Sequence, residues 1–433
     1  MSVVWKAKTL FAFAEARALS SSPHNQGSRD SLVVVDSSVE INSEQNRLSP
    51  PTPLILKGES EGFSPFCAKI TEMTSFWDNL PQLFFALAPM EAVTDVVFRH
   101  VVKQAGAPDV FFTEFANATG WVHAGDKAIA GRLIKTDDEH PLVAQIWGGE
   151  PGDMEQFAAH CMELGFDGID INMGCPAKSA IKSGGAALIR RPDVAVAAIA
   201  AAKTAGLPVS VKTRLGYTYI DEWHEWLSTL LTQNLANLTI HLRTKKEMSK
   251  VPAHYELIND IIKLRDEIAP QTLLTINGDI RDRAHGEELF AAHPGLNGIM
   301  IGRGIFSDPF CFVGSKVSEA SSDEKTVDCS RIADNPTERS RQISSEDLSE
   351  KCASNQNGAP FANALEHKSE LIALLHYHLD LFDRYQPTLD RPFETLKRFF
   401  KIYIRDFDGA KELRDQLMHT KNTSEVRQIL EEI

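Results

Sequence analysis

The feature that most limits the fold of this chain is a regular alternation of short apolar runs and amphipathic stretches between residues 81 and 312. Runs rich in β-branched and aromatic residues predict strands, and stretches with helical periodicity predict helices between them. We predict eight strands, at 83–88, 109–113, 142–146, 167–171, 208–212, 237–241, 272–276 and 297–301. Helices are predicted at 94–105, 153–164, 192–204, 221–233, 254–267 and 281–292, with one more between 113 and 140.

Eight strands with helices between them over roughly 230 residues indicate the α/β class of fold. Within that class they are typical of the (β/α)8 TIM barrel. A doubly wound sheet is the alternative, but it usually carries a glycine-rich turn after its first strand. Here the first strand runs into Pro89-Met90-Glu91, and the pattern GxGxxG is absent from the sequence. The barrel is therefore favoured.

Composition separates three further regions from the barrel at 81–312. Residues 1–75 are rich in Ser, Asn and Pro without a sustained period, so we expect a disordered N-terminal extension. Residues 313–360 are polar and Ser-rich, which predicts a disordered insertion or linker. Residues 361–433 contain helical patterns such as ELIALLHYHLDLF, and we predict a small helical domain there.

Charge and cysteine content exclude several classes of protein. The 45 Lys and Arg against 59 Asp and Glu give a net charge of −14, which excludes nucleic-acid binding through bulk positive charge. The six cysteines form no CxxC pair, so neither a disulfide scaffold nor a zinc site is indicated. No apolar run approaches the ~20 residues that span a bilayer. We expect a cytoplasmic protein, monomeric and without a metal ion.

Polar and cationic residues follow nearly every predicted strand, at the end where a barrel holds its active site. One such residue carries little information, but several in register indicate a site. The candidates are Pro89, Met90, Glu91, Gln145, Cys175, Lys212, His241, Asn277, Gly278, Asp279, Gly302 and Arg303.

The glycine turns after strands seven and eight predict an anion site, because barrels commonly bind phosphate there on exposed backbone amides. Tight turns without a ligand are the alternative interpretation. Lys212 alternates with Val211, so it faces the lumen and requires an anion, an electron-rich cofactor or a carboxylate such as Asp170. Gln145 either meets a heterocycle edge or packs at the rim, and His241 is either a ligand or a core histidine.

Cys175 is the candidate nucleophile or acid. It follows strand four in a Gly-Cys-Pro turn, which exposes the side chain. A thiol of ordinary pKa, about 8.5, is mostly protonated at neutral pH and can deliver a proton as well as attack.

A basic segment near the C-terminus predicts RNA contact despite the acidic net charge, because only charges within a Debye length of about 8–10 Å matter. The cations interleave with aromatic residues that a helix would turn inward. The cations are Arg391, Lys397, Arg398, Lys401 and Arg405, and Glu394 is the acidic residue among them. A solvated amphipathic helix is the alternative.

Seven sequence blocks, in this order, resemble the tRNA-dihydrouridine synthases. They are APMEAVTD, AQIWG, DINMGCPAK with KSGGAALI, VKTRLG, IHLRTK, INGDI and IMIGRGIFSDP, and the later RPFETLKRFFKIYI is similar to that family's helical RNA-binding domain. The resemblance implies an FMN-dependent barrel that reduces the C5–C6 bond of uridine in the D-loop of tRNA, with NADPH as reductant.

The resemblance also implies roles for the candidate residues. Pro89, Met90 and Glu91 would line the flavin, Gln145, Lys212 and His241 would address its ring, and the two glycine turns with Asn277, Asp279 and Arg303 would hold its phosphate. Cys175 would protonate C5, and Arg243 would contact substrate phosphates. Two alternatives remain open: an FMN barrel oxidoreductase acting on a free small molecule, and a non-catalytic RNA-binding protein on a decayed barrel.

Overall fold

A barrel of parallel strands forms the centre of the structure, a computed structural model that describes residues 75–314 and 364–433. The strands are β1 (Phe84–Leu87), β2 (Phe111–Phe112), β3 (Ala116–Asn117), β4 (Leu142–Trp147), β5 (Gly168–Asn172), β6 (Val209–Arg214), β7 (Asn237–His241), β8 (Leu273–Asn277) and β9 (Gly298–Ile301). They pair in the order β1-β9-β8-β7-β6-β5-β4-β2, with β3 beside β4. A bridge between Ala86 and Val110 brings the two ends of the sheet together.

Helices follow the strands and cover the outside of the barrel. They are α1 (Val96–Gly106), α2 (Ala118–Ala124), α3 (Asp126–Ile129), α4 (Pro151–Glu163), α5 (Pro192–Lys203), α6 (Trp223–Leu231), α7 (Ile258–Ile268), α8 (Arg283–Ala292) and α9 (Gly304–Ser307). Every predicted strand overlaps an observed strand, and every predicted helix overlaps an observed helix. The predicted TIM barrel is therefore confirmed.

The pair β2 and β3 differs from the single second strand that the sequence predicts. The backbone N–H of Gln145 donates to the hydroxyl of Thr113 at 3.0 Å rather than to a backbone carbonyl. A side-chain acceptor in the place of a ladder bond interrupts the strand, so pairing with β4 resumes only at Ala116, opposite Ile146. The predicted helix between 113 and 140 appears as α2 and α3.

The lumen of the barrel changes from apolar at its lower end to polar near the carboxyl ends of the strands. Trp77 closes the lower end against Phe84, and the apolar cluster there also holds Ala86, Ala88, Val110, Phe112, Val143 and Met300. Higher up, Asp170 is fully buried and accepts hydrogen bonds from Ser210 at 2.6 Å and Gln145 at 2.7 Å. A buried polar layer requires such partners, and here it forms the floor of the functional end.

The C-terminal residues form a helical region packed on the barrel. Its helices are α10 (Ala364–Leu389), α11 (Phe400–Tyr403), α12 (Ala410–His419) and α13 (Thr423–Leu430), with 3₁₀ turns at Phe393–Thr395 and Lys397–Phe399. The ring of Phe98 on α1 lies 4.9 Å from that of Phe399 and 6.1 Å from that of His378 on α10. Phe399, Phe400 and Tyr403 are buried, so the predicted helical region with inward aromatics is observed.

The predicted extension at 1–75 and insertion at 313–360 lie outside the described residues except at their edges. Within residues 75–314 and 364–433, no helix combines the length and hydropathy needed to cross a membrane. The same residues hold no cluster of His, Cys, Asp and Glu arranged to bind a metal ion.

Candidate active site

A cavity of about 650 Å³ opens among the carboxyl ends of the strands. Its volume lies within the usual range for small-molecule and cofactor sites. Ten of the residues predicted from the sequence line it: Pro89, Met90, Cys175, Lys212, His241, Asn277, Gly278, Asp279, Gly302 and Arg303. The structure therefore brings most of the candidate site together in one place.

The turn that carries Cys175 is shaped by Asn172, the last residue of β5. The side-chain oxygen of Asn172 accepts the backbone N–H groups of Gly174 at 3.1 Å and Cys175 at 2.9 Å. Gly174 packs so closely that a Cβ would lie 3.3 Å from the backbone of Thr213. Burial raises the pKa of the Cys175 thiol. The thiol therefore keeps its proton at neutral pH, which suits a proton donor.

Lys212 presents a cation inside the cavity. Its Nζ donates to Oδ1 of Asn277 at 3.2 Å, and the Asn277 amide is held by a bond to the carbonyl of Met300 at 2.8 Å. Burial lowers the pKa of Lys212 to about 8, and the neighbouring charge of Arg214 acts in the same direction. At pH 7 Lys212 therefore remains largely protonated, and its ammonium has N–H donors beyond the one that bonds Asn277. These donors can bind an anion or an electron-rich group.

His241 is a neutral imidazole whose tautomer follows from its partner. A guanidinium nitrogen of Arg243 lies 3.1 Å from Nε2 of His241. Because arginine can only donate, Nε2 accepts and Nδ1 carries the proton. Burial, followed by the charges of Arg214 and Lys212, holds the pKa of His241 far below its usual range. His241 can therefore offer a hydrogen bond from Nδ1 without a change of charge.

Asp279 organises the cationic end of the cavity. Its carboxylate pairs with Arg243 and, at 3.0 Å, with Arg303, and it accepts the backbone N–H of Ala253 at 3.1 Å. Its own backbone has a φ of 53°, directly after Gly278 with a φ of 128°. The carboxylate of Asp279 is thus already paired with two arginines. The backbone of its turn is the part of this segment that can bind a ligand.

Gly302, beside these cations, is not crowded by the surrounding protein. A Cβ at Gly302 would meet only ordinary contacts, 3.5 Å from the Cβ of Ala88 and 3.9 Å from Nδ2 of Asn277. The side chain of Arg303 next to it is 64% exposed. An open backbone beside an exposed guanidinium suits an anionic group such as a phosphate.

Two predicted flavin-lining residues are not in the cavity wall. Glu91 is exposed and forms an ion pair with Arg132. Gln145 is fully buried below the cavity, where it donates to Asp170 at 2.7 Å and accepts from Asn172 at 2.9 Å. The oxygen and the nitrogen of the Gln145 amide are both hydrogen-bonded. Because Asn172 in turn holds the Cys175 turn, Gln145 supports that turn through Asn172.

Arg243, predicted to contact substrate, is also placed inside the protein. It is 2% exposed, and its Nε donates to the carbonyl of Val251 at 2.6 Å. With His241 and Asp279 as its other partners, Arg243 orients the residues that line the cavity.

Arg391 and Lys397, two of the predicted RNA contacts, are partly buried and bonded within the protein. Arg391 forms ion pairs with Asp95 at 2.6 Å and with Glu114, and so joins the helical region to the barrel. Lys397 donates to the carbonyl of Met418 at 3.0 Å, and its side chain is 11% exposed. Both cations are therefore turned toward the protein.

Arg398 and Lys401 are exposed. The Lys401 ammonium lies 5.5 Å from the ring of Phe306, on α9 at the edge of the barrel. Both side chains are thus exposed at the surface, and their contact with RNA stays a prediction.

Arg214, for which no role is predicted from the sequence, also lines the cavity. Its guanidinium donates to the carbonyls of Gly174 at 2.8 Å, Thr244 at 3.2 Å and Met248 at 3.1 Å, which ties together the loops after β5 and β7. Strand alternation is the signal that could have found it, because Arg214 follows Lys212 by two residues on the same face.

The fold is a TIM barrel with a cavity at the carboxyl ends of its strands, where enzymes of this fold hold their active sites, and comparison with known proteins specifies the family. The dihydrouridine synthase (Dus) family profile matches residues 86–373. A protein of Bacillus subtilis (strain 168), named probable tRNA-dihydrouridine synthase 2, is 51% identical over 360 residues, 83% of this chain and 96% of that protein. The chain belongs to the dihydrouridine synthase family, and the prediction of an enzyme of this family is confirmed.

Staphylococcal relatives agree. A probable tRNA-dihydrouridine synthase of Staphylococcus aureus is 49% identical over 361 residues, 83% of this chain and 95% of its own length. One of Staphylococcus epidermidis is 49% identical over 359 residues, 82% of this chain and 95% of its own length.

Proposed function

We propose that the protein reduces the C5–C6 double bond of uridine in the D-loop of tRNA, with FMN as cofactor and NADPH as reductant. The observation that carries the proposal is the cavity in which Cys175, Lys212 and His241 lie with the open turn at Gly302. Family membership and the names of the relatives support tRNA as the substrate.

The residues of the cavity fit FMN. Gly302, Arg303 and the turn at Asp279 would hold the phosphate, because they combine open backbone with positive charge. Lys212 and His241 would address the ring system, where a cation and a neutral N–H donor favour electron-rich atoms. When bound, reduced FMN supplies the hydride that is added to C6 of the uracil ring.

Cys175 completes the reaction by giving its Sγ proton to C5 of the uracil ring, after which water reprotonates the thiolate. The two new C–H bonds use one hydride and one proton, so the atoms and charges balance. A cavity of about 650 Å³ cannot admit a nucleic-acid helix, so the target uridine has to be turned out of its stack.

An absorbance spectrum with and without NADPH tests the proposal. We expect flavin bands that NADPH bleaches and that unmodified tRNA restores, with dihydrouridine appearing in the D-loop. Fully modified tRNA is the control and should restore nothing. Recovery that ignores tRNA would instead support an oxidoreductase for a free small molecule, and a colourless protein that takes up no FMN would contradict both.

Gly302→Ala should weaken FMN binding without harming the fold. The added methyl meets only ordinary protein contacts but projects into the proposed phosphate site. We expect FMN affinity to fall by about 5- to 100-fold, the usual effect of overpacking, with Tm of the flavin-free protein unchanged or slightly raised. The control is Gly152→Ala on α4, where a Cβ meets nothing within 4 Å. Equal flavin affinity in the two variants would argue against the phosphate site.

Lys212→Met should separate stability from cofactor binding. Burial lowers the pKa of Lys212 from 10.5 to about 8, so at pH 7 the folded protein bears the cost of a buried cation. We expect the flavin-free variant to gain about 1–3 kcal/mol in free energy of unfolding, while FMN affinity falls at least about 10-fold.

The stability gain of Lys212→Met should shrink above pH 8, since wild-type Lys212 then loses its proton in the folded state before the unfolded state does. Denaturant titrations at pH 7 and 9 measure this change. Lys263→Met, on the exposed side of α7, is the control and should change stability by less than about 0.5 kcal/mol. Unchanged flavin affinity in Lys212→Met would contradict the assigned role.

A further inference from the structure

Two loops beside the cavity carry tyrosines and cations that the reaction does not use. The loop after β6 contains Tyr217 and Tyr219, and the loop after β7 contains Lys245 and Lys246. The backbone N–H of Lys245 donates to the carbonyl of Gly216 at 2.8 Å, and that of Lys246 donates to Tyr217 at 2.9 Å. The loops therefore form one continuous surface at the rim.

The cations lie over the tyrosine rings. The guanidinium of Arg190 is 3.8 Å from the centroid of Tyr217, and the ammonium of Lys245 is 4.7 Å from the same centroid. The ammonium of Lys246 is 5.5 Å from the centroid of Tyr219. We call these five residues, Arg190, Tyr217, Tyr219, Lys245 and Lys246, the tyrosine–cation patch.

The backbone that presents the patch is held in place by Glu222. Its carboxylate accepts the N–H groups of Tyr217 at 2.5 Å, Thr218 at 3.2 Å and Tyr219 at 3.0 Å. Gly216 is required in this loop, because a Cβ there would lie 2.7 Å from the carbonyl of Tyr219. Tyr219 is nevertheless 65% exposed. A large ring fixed in solvent by its own loop is preorganised for a partner.

The patch adjoins the cavity. The loop that carries Lys245 and Lys246 also supplies Ser249 to the cavity wall, and β6 ends in Arg214, another wall residue. An extended strand with one nucleotide inserted in the cavity can therefore reach these loops.

The chemistry of the patch matches RNA. A tyrosine ring can stack on any base, and cations neutralise phosphates, which together bind single strands without sequence preference. Four carboxylates lie between β6 and α6 and between β7 and α7: Glu222 and Glu247 are engaged by loop backbone N–H groups, Glu256 pairs with His254 at 2.7 Å, and Asp221 is the fourth. Arg190 and Lys246 are exposed and Lys245 is half-buried, so the patch offers positive charge to solvent in a chain whose net charge is −14.

We propose that the tyrosine–cation patch binds the tRNA strand next to the target uridine. Tyr219 stacks on a neighbouring base, and Arg190 and Lys246 contact phosphates. This inference rests on the proposed function, since it takes tRNA as the substrate.

Binding of unmodified tRNA to the flavin-loaded protein tests the inference directly. We expect Tyr219→Ala/Lys246→Ala to raise the Kd for tRNA by about 10- to 100-fold, while flavin content and oxidation of NADPH stay as in wild type. Tyr219→Phe should keep the affinity, because stacking uses the ring and not the hydroxyl. In Lys246→Ala the slope of log Kd against log salt should fall by about 0.7–1.

The control is Lys263→Ala, a cation exposed on α7. A Kd for Tyr219→Ala/Lys246→Ala within about twofold of this control would overturn the inference. Dihydrouridine formation by the wild type is scored separately, so its absence would overturn the proposed function without entering the comparison of Kd values.

Discussion

Replacing Cys175 with alanine is expected to lower the rate of dihydrouridine formation by about 100- to 10,000-fold, the usual contribution of a general acid. The thiol lies in the cavity wall with its pKa raised by burial, so it holds a proton at neutral pH. Its removal leaves the Asn172 contacts of the turn, which use backbone N–H groups. FMN binding and bleaching by NADPH should therefore persist. Single-turnover assays on unmodified tRNA measure the loss.

Cys161→Ala is a suitable control for this variant, because Cys161 is a buried thiol on α4 away from the cavity. It should change stability but leave turnover near the wild-type value. A Cys175→Ala enzyme that reduced tRNA at the normal rate would show that another group supplies the proton to C5.

Arg391→Met is expected to lower the free energy of unfolding by about 3–5 kcal/mol, because it leaves two carboxylates without their cation. Asp95 and Glu114 are 12% and 0% exposed in their side chains, and both pair with Arg391. Burial raises the pKa of Glu114, and the charge of Arg391 opposes that shift. Denaturant titration of the variant at pH 7 measures the cost.

The cost of Arg391→Met should shrink as the pH falls. Without its cation, Glu114 takes up a proton in the folded state at a higher pH than in the unfolded state, so acid favours the folded variant. Adding Glu114→Gln should recover part of the stability at pH 7. Arg384→Ala, at an exposed arginine on α10 of the same helical region, is the control with an expected change below about 0.5 kcal/mol. Equal stability of the two arginine variants would contradict a role for Arg391 at the junction.

Most of the barrel could be predicted from periodicity, since apolar runs and amphipathic stretches reflect the same burial that forms strands and helices. The exception was the split between β2 and β3, where Thr113 accepts a backbone N–H from a neighbouring strand. A side-chain hydroxyl that takes the place of a backbone carbonyl in the strand pairing does not change the hydrophobic periodicity. The split therefore could not be predicted from the pattern.

The candidate site could be predicted as far as the positions of residues at the strand ends determine it. Cys175, Lys212 and His241 follow different strands, and the carboxyl ends of parallel strands meet at one rim. Their convergence in the cavity follows from the fold alone. What the pattern could not supply was the orientation of a side chain once it arrived at that rim. Glu91 is a case in point, because it turns outward to Arg132.

Partners distant in the chain were decided only by tertiary structure. Arg391 and Glu114 are 277 residues apart, and the cation that local sequence groups with a basic RNA-binding face instead joins two parts of the fold. Arg243 likewise lies beneath the cavity, between His241 and Asp279.

The sequence by itself therefore determined the barrel, the rim at which its chemistry lies and the residue types available there. Tertiary structure decided which charges remain free for a ligand and which are consumed within the protein. The physical reason is that hydrophobic patterning is local in the chain, whereas the state of a charge depends on every group that shares its low-dielectric surroundings.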